Sequence, residues 1–127
     1  MRISSDDRRV GFFNLFDLPS GDLNIIRLHP GALCAWHRHQ KQTDLLFCAI
    51  GTVKVGMIDR EGQSTWHVLS EHFPEEYEIP PNTWHGYQNI GTDDAILVLV
   101  ATNKYDGSDE ERRSLDAMGI SWDRQPR

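Results

Sequence analysis

Four residues of this chain have the types and spacing to do chemistry together: His37 and His39, one residue apart, Asp44 five residues further on, and His85. Side chains alternate along an extended strand, so His37 and His39 share one face while Trp36 and Arg38 take the other, and two imidazoles converge on one point. Asp44 opens the apolar run that ends at Gly51 and adds a carboxylate from a neighbouring strand. His85 sits in IPPNTWHGYQN, which reads as a turn feeding a strand. Such a group makes a metal-binding or an acid–base pocket. Tyr87 follows His85 by two residues and shares its face, where its hydroxyl serves as a proton or hydrogen-bond donor or its ring packs the wall.

The elements that must carry these residues are short strands. Breakers recur every eight to twelve residues, at Pro19-Ser20-Gly21, Pro30-Gly31, Gly51, Glu61-Gly62, Pro80-Pro81-Asn82 and Gly91 to Asp94. That rhythm is the signature of an all-β sandwich or barrel. Asp59 to Gly62 predicts a hairpin turn, with Gly62 free to adopt positive φ. Ala95 to Ala101 is apolar on both faces, as expected of a strand in the middle of a sandwich or of a sheet covered by a partner subunit. Beyond Ala101 the pattern changes. Acids in a first turn and Ser108 as N-cap predict one short helix over Asp109 to Met118, ended by Gly119.

With 127 residues, 39% of them apolar, the chain can build one packed core, and a single domain over residues 1–127 is expected. A net charge of −6 argues against a nucleic-acid partner, which would need a basic face. No apolar run is long enough to span a membrane, and MRISSDDRRV lacks the apolar region of a signal peptide, so the expected setting is cytoplasmic, with no membrane partner. Cys34 and Cys48 lie in apolar runs and form no CxxC pair, so they read as buried thiols.

The stretch Gly31, His37, His39, Asp44, Gly51 resembles the first motif of the cupins, with Asp44 where most carry Glu. Pro80, Asn82, His85 and Asn89 resemble the second, with Asn82 in place of its glycine; Asn tolerates left-handed backbone, so the turn survives. The resemblance implies a double-stranded β-helix, or jelly roll. It also implies a ligand set of His37, His39, Asp44 and His85 for a divalent transition metal, whether Fe, Mn, Ni, Zn, Co or Cu. Asp is one methylene shorter than Glu, which leaves Asp44 as either a direct ligand or an orienting partner behind a histidine.

The tail resembles the dTDP-4-dehydrorhamnose 3,5-epimerase branch of the cupins through Tyr105, Glu110 or Glu111, Ile120 and Trp122, as does the Ile-Pro to His-Gly-Tyr stretch ending at Tyr87. That branch abstracts a proton beside a ketone with a histidine base and stabilises the enolate with a cation. The chain departs from it at three points: Asp44 stands where the enolate-holding lysine belongs, Ala95 to Ala101 holds no tyrosine acid, and Ala35-Trp36 replace an arginine before the histidine. The sugar 3,4-ketoisomerases, a related branch, use a His-x-His pair resembling His37 and His39. The resemblance therefore implies an enzyme acting on a small keto substrate, a nucleotide-linked sugar, with His37, His85 and Tyr87 as its acid–base groups. It also implies a homodimer that exchanges or packs N-terminal strands. Two alternatives stand beside it: a metal-dependent dioxygenase or lyase on another small molecule, and a non-catalytic ligand-binding cupin.

The remaining candidates have simpler readings. His29, His67 and His72 are expected to be surface or hydrogen-bonded histidines, and Trp36, Trp66 and Trp84 core or interface aromatics. Lys54 and Arg27 are the cations to test for contact with an anionic substrate, against the plainer reading of a solvated sheet face. The polar loop Gln40 to Thr43 flanks the site and is a candidate gate or substrate contact.

Overall fold

The alternating runs between the breakers become strands, and the strands close two sheets over one apolar interior. The computed structural model describes residues 1–16 and 18–122. Its strands are β1 (Arg2–Ser5), β2 (Arg9–Phe13), β3 (Asp22–Leu28), β4 (Leu33–His39), β5 (Asp44–Ile50), β6 (Thr52–Ile58), β7 (Ser64–Ser70), β8 (Tyr77–Ile79), β9 (Trp84–Asn89), β10 (Ala95–Ala101) and β11 (Glu110–Arg112). One sheet has the order β1-β2-β3-β10-β5-β8 and the other β11-β4-β9-β6-β7, giving the expected all-β jelly roll. Gly62 takes φ +82° in the β6–β7 hairpin and its N–H donates to the Asp59 carbonyl, as the turn residues require. Asn82 sits at φ 61°, the left-handed conformation expected of it.

Period-two alternation fills the interior. Ile26 and Leu28 of β3, Leu46 and Cys48 of β5, Val53 and Val55 of β6 and Leu97 of β10 meet between the sheets. Each large aliphatic buried this way stabilises the fold by about 1.5–3 kcal/mol. β10 lies between β3 and β5, which accounts for half of its apolar pattern. The other half forms an outward band: the paired rows Phe12–Ile25–Val98–Phe47 and Leu23–Val100–Leu45 cross the six-stranded sheet half-buried.

The outer face of the five-stranded sheet is covered by the chain itself. Trp36, Ile58, Trp84 and Trp122 form a second cluster with Leu33, Ala35, Trp66, Met118 and Ile120 against it. Gly56 makes room there, since a Cβ would lie 2.7 Å from the Trp66 ring and 2.9 Å from that of Trp122. The expected core or interface role of Trp36, Trp66 and Trp84 is therefore met by this cluster.

The helix expected over Asp109 to Met118 does not form. A 3₁₀ turn (Gly107–Asp109), the strand β11 and a second 3₁₀ turn (Leu115–Met118) stand in its place. A ten-residue helix is marginal by itself, whereas the open edge of β4 offers a complete ladder. Glu110, Glu111 and Arg112 pair with His39, Arg38 and His37, and Trp36 and Arg113 exchange both backbone hydrogen bonds. The cap is Asp106, which accepts from the Ser108 N–H, and Gly119 ends the second turn at φ 64°.

Both cysteines are free and buried. Burial pushes both thiols up, Cys48 to about 11 with Glu71 adding to it. Neither thiol is expected to react with a disulfide reagent at pH 8 in the native protein, and both should react in denaturant; a native protein that titrates one equivalent would contradict this.

Candidate active site

A register irregularity in β4 makes the site. Leu33, Cys34 and Ala35 pair with Gln88, Tyr87 and Gly86, but the next pair is His37 with His85, so Trp36 is an extra residue. An extra residue reverses the alternation of its strand. Cys34 therefore faces the interior on one side of the irregularity, and His37 and His39 face it on the other, while Ala35 and Trp36 both turn to the outer cluster. Gly86 permits the close approach, because a Cβ there would lie 2.3 Å from that of Ala35 and 2.8 Å from the Cys34 carbonyl. Gly86→Val is expected to cost about 1–3 kcal/mol or more in denaturant stability; an unchanged midpoint would show that the two strands part freely here.

His37, His39, Asp44, His85 and Tyr87 all line one cavity of about 910 Å³. Asp44 comes not from a strand beside His39 but from the opposite sheet, so the cluster is closed across the interior. The Asp44 Oδ2 is 3.4 Å from His85 Nε2 and 3.9 Å from His39 Nε2. Gln42 donates to Asp44 Oδ1 at 2.5 Å, which gives the polar loop one definite task at the site. The loop is itself held by Asp109, which accepts from the N–H groups of Gln40 and Lys41.

The His85 Nδ1 lies 3.0 Å from the Thr83 carbonyl, an oxygen that only accepts, so Nδ1 carries a hydrogen and Nε2 is the ring atom turned towards Asp44. An imidazole nitrogen facing a carboxylate calls for a proton or a cation between them. Burial raises the Asp44 carboxyl, but His85, Gln42 and His39 outweigh it and hold it below the ordinary carboxylate range. His39, Asp44 and His85 present their ligand atoms within 4.8 Å of one another. This donor set, two imidazoles and one carboxylate, fits a divalent transition metal.

His37 stands apart from that group. Its ring centroid is 6.1 Å from that of His85, and its Nδ1 faces Glu110 Oε1 at 3.6 Å. Burial pushes the His37 imidazole down against the opposing pull of Glu110, and burial likewise lowers His39 against Asp44. Glu110 is held down at about 2 by the facing imidazole, with Arg112 adding to it. A neutral imidazole backed by a carboxylate is the arrangement of a general base. Tyr87 is buried, and the guanidinium of Arg9 donates to its Oη at 2.9 Å. Desolvation raises this phenol to about 12, so it is a donor and not a base at neutral pH.

Other candidates fall elsewhere. Lys54 lies on the outer face of β6, buried with its ammonium 5.6 Å from the Trp66 ring and donating to the Trp122 carbonyl. Arg27 points outward beside Asp94 at 3.9 Å. Neither lines the cavity, because each occupies the outward phase of its strand; only Arg27 fits the solvated-face reading. His29 meets Asp94 at 3.1 Å and His67 meets Glu75 at 2.5 Å, and His72 is exposed, as expected of the three. Arg9 lines the cavity as well, and no sequence motif marks it; only its inward phase on β2 does.

A cupin domain matches residues 24–101 of the sequence. This chain belongs to the cupin family. The cupin is 36% identical over 104 residues to the probable low-salt glycan biosynthesis epimerase Agl13 of Haloferax volcanii, covering 75% of this chain and 67% of that protein. It is 30% identical to the spore coat polysaccharide biosynthesis protein SpsL of Bacillus subtilis, covering 93% and 88% of the two chains. The epimerase name of the first relative accords with the branch that the tail resembles. Among solved structures, a dTDP sugar isomerase from Desulfovibrio desulfuricans superposes on 91% of this cupin and 82% of its own chain, at a TM-score of 0.78 and 23% identity. The capsular polysaccharide assembling protein CapF of Staphylococcus aureus superposes on 87% of the cupin at a TM-score of 0.80 and 17% identity, and the cupin spans 33% of that longer chain. At these identities the two structures establish the fold.

Proposed function

We propose that this cupin epimerises or isomerises a small keto substrate, a nucleotide-linked sugar, by histidine-mediated proton transfer beside the ketone. The observation that carries the reading is half-buried His37, which desolvation favours as the neutral imidazole, with its Nδ1 3.6 Å from the Glu110 carboxylate in the cavity wall. His37 takes the proton from the carbon beside the ketone, and the C–H electron pair becomes a C=C bond as the carbonyl pair moves onto oxygen. Glu110 stabilises the imidazolium that forms. Protonation of that carbon on its other face by solvent in the cavity epimerises it, with His37 releasing its proton to solvent. Transfer of the proton from His37 to the former carbonyl carbon of an enediol, whose other hydroxyl becomes the new carbonyl, isomerises the sugar. The relatives' names, a glycan biosynthesis epimerase and a spore coat polysaccharide protein, support a sugar as substrate.

The test is incubation with a dTDP-linked 4-keto hexose in deuterated water. Loss of the proton signal beside the ketone, above a protein-free control, is the expected result. A signal that persists at the control rate would overturn the reading.

His39, Asp44 and His85 are the residues that would hold a divalent metal, which when bound supplies Lewis-acid polarisation of a carbonyl. Their convergence also favours the second reading, a metal-dependent dioxygenase or lyase on a small oxygenated molecule. Oxygen consumption by the iron-loaded protein would decide for that reading. Calorimetric titration with Co(II) is expected to show one site that His85→Ala removes; heat of binding that survives the substitution would move the metal elsewhere.

The apolar band across the six-stranded sheet supports a homodimer built on that face, since an isolated sheet normally turns a polar face to water. Light scattering is expected to give twice the 14.6 kDa chain mass. A monomer at micromolar concentration would contradict it.

A further inference from the structure

Arg9 pairs with Leu28 in the β2–β3 ladder, which puts it on the inward face of the six-stranded sheet beside aliphatic side chains. A guanidinium on such a face needs a partner. It finds one across the cavity: Arg9 Nη1 donates to the Oη of Tyr87, which stands on β9 of the opposite sheet. Other arginines lining the cavity are engaged elsewhere. Arg8 meets Asp6 at 2.9 Å, Arg112 meets Glu110 at 3.2 Å, and Arg2 lies over the rings of Phe13 and Tyr105 at 4.5 and 5.9 Å.

A tyrosine hydroxyl has one proton to give and lone pairs to accept with, whereas a guanidinium only donates. The bond from Arg9 therefore occupies a lone pair of Tyr87 and leaves the hydroxyl proton for another acceptor. None of the described residues accepts it. Tyr87 also shares the inward face of β9 with His85, two residues away, so the proton is available on the cavity side where the histidines stand.

We propose that Arg9 is a positioning residue that keeps the Tyr87 hydroxyl proton directed into the cavity, where Tyr87 donates it in a hydrogen bond to the substrate's ketone oxygen as that oxygen becomes an enolate. The inference rests on the proton-transfer reading above. When the C–H bond breaks, its proton goes to His37, its electron pair forms the C=C bond, and the carbonyl π pair becomes a charge on oxygen that the Tyr87 hydroxyl faces. A cation bonded to the donor strengthens the donor, and a preorganised donor aimed at developing charge acts in the transition state more than in the ground state. Asp44 brings an anion to this cavity, and Arg9, on another strand, brings a cation that acts through Tyr87.

The experiment is the kinetics of solvent-deuterium incorporation into a dTDP-linked 4-keto hexose by the full chain and by Tyr87→Phe, Arg9→Met, Arg9→Lys and the Arg9→Met/Tyr87→Phe pair. Tyr87→Phe is expected to lower kcat by about 10²–10³-fold, as for removal of one oxyanion donor. Arg9→Met should lower it by roughly tenfold or more, with KM changed less than about twofold, and Arg9→Lys should recover part of the loss. The double variant should be no slower than Tyr87→Phe, because Arg9 acts through that hydroxyl. Thermal midpoints identify any variant that has lost its fold, in which case Arg9→Lys alone decides by its kcat. A wild-type protein that exchanges no deuterium overturns the proton-transfer reading and this inference with it. An active wild type with kcat unchanged in the Arg9 variants, a rise in KM alone, or losses that multiply in the double variant overturns this inference and leaves the reading standing.

Discussion

Replacing His37 with asparagine is expected to slow deuterium incorporation beside the ketone by about 10²–10⁴-fold, with little change in the denaturation midpoint. The substitution keeps a polar side chain in a half-buried position on β4 but removes the only atom that can take the proton in the proposed step. His37 is suited to that step because burial keeps it neutral while Glu110, held ionised at about 2, stands behind its Nδ1. Glu110→Gln should fall between wild type and His37→Asn, since it keeps the base and removes only the charge that favours the imidazolium. His39→Asn makes the contrast informative. If His39, and not His37, is the base, the loss follows His39→Asn and His37→Asn retains most of the rate, an outcome that deuterium incorporation by the two variants reads directly.

The strands were legible because their signals are local. Runs such as Asp44 to Ile50, Thr52 to Ile58, Ser64 to Ser70 and Ala95 to Ala101 lie between breakers and become β5, β6, β7 and β10 with those ends. That His37, His39, Asp44 and His85 line one cavity was legible too, from spacing within one strand and from two motifs in the right order, but that His37 stands apart from the other three was not. What stayed hidden depends on partners distant in the sequence. Alternation counted from the buried Cys34 would put Trp36 inside and His37 outside; the extra residue that reverses it is visible only in the register against β9. The acids of Glu110 and Glu111 looked like a helix start, because in sequence a first helical turn and a charged edge strand carry the same residues. Only the open edge of β4 decides between them. Lys54 looked like a pocket cation for a similar reason: strand phase was readable, but which face of β6 the tryptophans would cover was not.

Trp36→Ala is expected to be the most damaging single change to stability, about 3–5 kcal/mol from the lost contacts and the cavity left behind. Trp36 is fully buried, with its ring 5.2 Å from that of Trp122 and 6.4 Å from that of Trp66. It also exchanges both backbone hydrogen bonds with Arg113, immediately after β11. The indole thus joins two things that the site needs. It occupies the extra position that turns His37 and His39 inward, and it anchors the segment that brings Glu110 to His37. Arg38 and Arg113 reinforce this anchor, at 4.6 and 5.0 Å over the Trp84 ring, and Arg38 holds both oxygens of Glu111 at 2.9 Å. Loss of Trp36 should therefore lower the exchange rate of the still-folded protein towards that of Glu110→Gln, because the carboxylate behind the base is no longer held. Trp36→Phe keeps an aromatic ring in the cluster and should cost less on both counts. Urea denaturation and deuterium incorporation measured on the same samples test the coupling: a Trp36→Ala protein that loses the stability but keeps the full rate would show that β11 is held in place without the outer cluster.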